Sequence, residues 1–144
     1  MVTPNNVKPV EILIIERNPK NLELLIEAFK YSELSYNISF AGNAEQALKM
    51  IFQTNEFKKS GKPDLIISDI ITYHNEVRKK ILDIIIKREA TKCIPTVILS
   101  SLNEIETLEI QNCPNLLLYK PKTLEENINV VNSIEKFWLS LNKK

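Results

Sequence analysis

The chain has 144 residues, of which 44% are hydrophobic and 26% charged, with a formal net charge of +1. That length suits one domain with a single core, and the balance excludes a disordered tail and gives no reason to expect a nucleic-acid partner. No stretch approaches the roughly 18 apolar residues of a membrane span, and the N-terminus carries no signal-type cleavage site, so a cytoplasmic protein with no membrane partner is expected.

Residues 1–9 (MVTPNNVKP) contain two prolines and two asparagines and read as a flexible arm ahead of one domain over 10–141. EILIIE (11–16) is a continuous apolar run that ends on an acid, and Arg17 follows it. NPKNLELLIEAFKYS (18–32) places Leu22, Leu25, Ile26 and Phe29 at helical spacing, with Asn18 as N-cap and Pro19 at the first helical position. YNISFAG (36–42) is a shorter strand, and NAEQALKMIFQTNEF (43–57) has a second stripe through Ala44, Ala47, Leu48, Ile51 and Phe52. After the break KKSGKP come strand DLIISD (64–69) and helix HNEVRKKILDIIIKREA (74–90). IPTVILSS (94–101) is the next strand, LNEIETLEIQN (102–112) a short helix, NLLLYKP (115–121) the last strand and TLEENINVVNSIEKFWLSL (123–141) the last helix. Cys93 and Cys113 match no metal spacing and form no disulfide framework, so they read as small thiols in a reducing compartment.

Strand and helix thus alternate five times. Strands that are apolar throughout need cover on both faces, which calls for a parallel sheet between two helical layers. With right-handed crossovers, the expected architecture is a flavodoxin-like (βα)5 doubly wound sheet in the order 2-1-3-4-5. All strand C-termini then share one edge, and ligands bind where the order reverses. That edge would gather Glu16 and Arg17, Asp69, Ser100 and Lys120. Such a set suits phosphoryl transfer to a carboxylate: Asp69 as nucleophile, Lys120 offsetting charge, Ser100 holding an oxygen, and neighbouring acids holding Mg²⁺.

With ILIIERNP, DLIISD, IPTVILSS and LLLYKP in this order, the chain resembles a response-regulator receiver domain of two-component signalling over residues 10 to about 140. The ending IEKFWLSLN and the NPKNLELL helix are similar to the phytochrome-associated branch of single-domain receivers. The resemblance implies that Asp69 is the phospho-acceptor, Ser100 the assisting hydroxyl and Lys120 the phosphate-contacting lysine. It also implies Mg²⁺ held by Glu16, Asp69 and the backbone carbonyl of Ile71. The implied donor is a histidine kinase, with output through contact with a downstream protein that the sequence does not identify. A receiver is a signalling protein rather than an enzyme, and no output domain is expected.

Several residues depart from the pattern. Receivers usually end the first strand on two acids, whereas here the second position is Arg17. A guanidinium cannot ligate a metal, and it should repel Mg²⁺ by roughly several tenths to a few kcal/mol according to screening. It either folds over Asp69 or swings into solvent. The loop DIITYHNEVRKK lacks the usual Pro and Gly and holds the only histidine, His74, which reads as a loop residue without a role. Leu117 stands where an aromatic commonly reports phosphorylation, and Tyr119 reads as packing.

Two functions from different classes therefore stand: a stand-alone receiver with impaired or atypical Mg²⁺-dependent phosphorylation, and a phosphorylation-independent pseudo-receiver that works as an interaction module. A flavin or phosphate enzyme on the same fold is disfavoured, because RNPKN after the first strand has no glycine. Trp138 in the last helix is a candidate for a homodimer seam.

Overall fold

A computed structural model describes residues 8–51, 63–69, 94–100 and 115–142, without the side chains at 44, 45, 48, 51 and 69. The described elements are β1 (Val10–Ile15), α1 (Pro19–Phe29), β2 (Tyr36–Ala41), α2 (Ala44–Ile51), β3 (Leu65–Asp69), β4 (Thr96–Ser100), β5 (Asn115–Tyr119) and, as the last helix, α3 (Leu124–Leu141). All strand pairs are parallel and the order is β2-β1-β3-β4-β5. This is the flavodoxin-like sheet expected from the pattern. The helices expected over 74–90 and 102–112, most of the one over 43–57, and Cys93, Cys113 and His74 lie outside the described residues.

The apolar run from Ile12 to Ile15 follows from the place of β1 in the sheet. Side chains alternate across a strand, so a strand covered on both faces needs apolar residues at every position. Ile12 and Ile14 join Leu65, Ile67, Val97 and Leu99 against Leu25, Ala28 and Phe29 of α1 and Val130, Val131 and Ile134 of α3. Leu13 and Ile15 go the other way, to Ile66, Ala41 and the α2 residues Ala47 and Met50. Each fully buried Ile, Leu or Phe in these layers contributes roughly 1.5–3 kcal/mol. Phe29, wholly buried, also meets Tyr36 of β2 with ring centroids 5.3 Å apart.

The helix starts follow the sequence closely. The Asn18 side chain accepts from the Lys20 and Asn21 N–H groups at 2.9 and 3.2 Å, and Pro19 takes the position where a missing N–H costs nothing. At α3 the Thr123 hydroxyl accepts from the Glu126 N–H at 3.0 Å while Glu126 Oε1 accepts from the Lys122 N–H at 2.8 Å. Glu125 and Glu126 place negative charge against the helix N-terminus. Several elements are shorter than the pattern suggests. The helix begun at Asn18 stops at Phe29, where Tyr31 and Ser32 turn back onto Ala28 and Phe29 carbonyls. Pro121 lacks an N–H and ends the β5 ladder after Lys120 donates to Ser100 O at 2.7 Å.

Two variants separate core from cap. Phe29→Ala should lower unfolding stability by about 3–5 kcal/mol, and Thr123→Ala by about 1 kcal/mol. Urea titrations of both against wild type check the ranking, and equal losses would contradict this packing.

Candidate functional site

Glu16 is the first residue beyond β1, and its N–H still donates to the Ala41 carbonyl at 3.0 Å, so the sheet ladder fixes its backbone. Its carboxylate is buried, with only 7% of the side chain exposed. Oε2 accepts the Asn18 N–H at 3.1 Å, and Oε1 lies 3.5 Å from Lys120 Nζ. Lys120 is anchored in turn by its own N–H on the last residue of β4, Ser100.

This ion pair crosses the sheet edge. Strands β3 and β4 lie between β1 and β5, so the two backbones are separated by three strand spacings, roughly 14 Å. The Glu16 and Lys120 side chains therefore meet over the ends of β3 and β4. Asp69 is the last residue of β3, paired in register with Leu99, and Ser100 is the last of β4, paired with Tyr119. Ser100 is wholly buried. The parallel order of the five strands thus brings Glu16, the Asp69 backbone, Ser100 and Lys120 to one rim, although they are far apart in sequence.

Arg17 is exposed and makes no ion pair with a described side chain. Ile71 lies outside the described residues, and among the expected metal-side acids Glu16 is the one with a described side chain. A cleft of about 570 Å³ opens on this rim, lined by Asn21, Ser100, Tyr119, Lys120, Lys122 and Glu126, with Pro121 at its edge. It runs from the first turn of α1 to the β5–α3 connection.

No family model matches the chain. Response regulator Rcp1 of Synechocystis sp. is 28% identical over 133 residues, covering 91% of this chain and 90% of that protein. The crystal structure of the Mn²⁺-bound form of Rcp1 superimposes with a TM-score of 0.73 at 26% identity, over 91% of this chain and 95% of that one. The chain is homologous to response-regulator receiver domains. A second solved structure, the phosphorylated cyanobacterial phytochrome response regulator RcpA, shares the fold with a TM-score of 0.76 at 24% identity, over 93% of this chain and 96% of that one.

Within this receiver homologue, three features of the rim were not legible in the sequence. The first is the ion pair of Lys120 with Glu16. The second is Asn18, whose backbone N–H donates to Oε2 of the Glu16 carboxylate while its side chain caps α1. The third is Tyr119: the alternation suggested packing, yet the residue is 58% exposed because β5 is an edge strand and the ring stands at its end. Trp138, the candidate for a dimer seam, packs against the main core and leaves Leu139 and Leu141 exposed at the helix end.

Breaking a buried charge pair strands the remaining charge, whereas an exposed pair contributes little. The Glu16–Lys120 pair is intermediate, since Lys120 keeps 23% of its side chain in solvent. A double-mutant cycle of Glu16→Gln and Lys120→Met, run in chelator, should give a coupling energy of about 1–2 kcal/mol. The glutamine keeps an acceptor for the Asn18 N–H, so the cycle isolates the charge interaction, and a coupling near zero would remove it from the account.

Proposed function

We propose that this protein is a phosphorelay receiver that accepts a phosphoryl group on Asp69 from a histidine kinase and passes the state on by protein contact. The observation that carries the proposal is the Glu16–Lys120 ion pair spanning the ends of β3 and β4. It sets an ammonium, a carboxylate and the buried Ser100 around the strand end at Asp69. In the reaction an Asp69 carboxylate oxygen forms a bond to phosphorus as the donor's P–N bond breaks, giving an acyl phosphate. Lys120 then leaves Glu16 for the new phosphoryl oxygens, which offer it greater negative charge. The Ser100 hydroxyl donates to another of those oxygens.

The donor types fit a hard divalent cation, since carboxylate and carbonyl oxygens are the ligands such ions take. Glu16, Asp69 and the Ile71 carbonyl would hold Mg²⁺, which when bound offsets charge on the transferred group. Affinity should be low for two reasons visible at the rim. Both Glu16 oxygens are already engaged by Asn18 and Lys120, and Arg17 brings positive charge where most receivers have a second acid. The same engagement supports the second reading, a pseudo-receiver whose pocket charge is compensated from within.

Beryllofluoride or a small phosphodonor, with and without Mg²⁺, separates these readings. Wild type should respond weakly and only with Mg²⁺, Arg17→Asp should respond at Mg²⁺ concentrations about ten-fold lower, and Asp69→Ala should not respond. Intact mass and intrinsic Trp138 fluorescence provide the readouts. Silence of both wild type and Arg17→Asp, together with partner binding unaffected by Asp69→Ala, would leave the pseudo-receiver as the function.

A further inference from the structure

The cleft on the rim has a chemistry that phosphoryl transfer to Asp69 does not use. In the receiver reading Lys120 and Ser100 serve the phosphoryl group, and Tyr119 lines the same cleft. Tyr119 is the register partner of Ser100 on the neighbouring strand, and partners in register point to the same face of a parallel sheet. With Lys120 next in the chain, the ring stands beside both groups that would hold the phosphoryl oxygens. It is 58% exposed, so no core role accounts for an aromatic there. Asn21, in the first turn of α1, also lines the cleft.

An exposed ring next to an ammonium and a buried hydroxyl fits a ligand with two parts, an anionic group and a flat ring joined to it. Phosphohistidine is such a ligand, and it rests on the receiver reading above. We infer that Tyr119 is a positioning residue whose ring stacks on the imidazole of the incoming phosphohistidine while its phosphoryl group faces Asp69. In the step so arranged, the electron pair of the P–N bond stays on the ring nitrogen and the new P–O bond forms to Asp69. The donor ring, protonated at its other nitrogen, leaves as neutral imidazole. Stacking orients the P–N bond and favours donors that carry a ring over those that do not.

The test compares two small donors, phosphoimidazole, which has the ring, and phosphoramidate, which lacks it, on the full chain with Mg²⁺. The readout is the ratio of kcat/KM for the two donors, followed by intact mass. Tyr119→Leu should lower the ratio about three- to ten-fold, through KM for phosphoimidazole, and Tyr119→Phe should keep it within about two-fold of wild type. A ratio unchanged in Tyr119→Leu overturns the inference while leaving the receiver reading in place. Equal losses in the Leu and Phe variants also overturn it, because the hydroxyl rather than the ring would then be responsible. If wild type takes phosphoryl from neither donor, the receiver reading fails and this inference fails with it.

Discussion

Everything at the candidate site depends on β1 being buried on both faces. A strand whose every residue must be covered can lie only inside a sheet with a helical layer on each side, and helical crossovers make that sheet parallel. Parallel strands put all their C-termini at one edge. Glu16 sits there because the apolar run ILII (12–15) ends there, and the Ala41 carbonyl holds its backbone in the extended ladder. The rim is thus a consequence of core burial, and its polar residues are those that fall just past each strand's last core position.

At that rim the charges are arranged to be self-sufficient. A buried carboxylate is costly unless paired and hydrogen-bonded. Glu16 satisfies both conditions within the chain, through Lys120 on one oxygen and Asn18 on the other. The arrangement gives the rim a defined structure. Arg17, next in the chain, stays in solvent and makes no ion pair with a described side chain.

The position of Tyr119 follows from the same sheet order. As the outermost strand on its side, β5 has one neighbour, so a residue at its end can be large and aromatic without meeting a second strand. Leu117 occupies the position where receivers commonly carry an aromatic, and two residues further along the same strand an aromatic does stand, beside Ser100 and in solvent.

Sequence alone determined the class of fold, the strand order and which residues would come to the edge, because these follow from periodicity, from caps such as Asn18 and from the handedness of crossovers. The alternation of core and edge positions placed Glu16, Asp69, Ser100 and Lys120 correctly as strand-end residues. Only the tertiary structure decided that Lys120 reaches across two strands to Glu16, that the Asn18 backbone holds the same carboxylate, and that Tyr119 is exposed. Those outcomes depend on distances between strands far apart in sequence and on which strand lies at the edge, and neither quantity is encoded in the local pattern of any one segment.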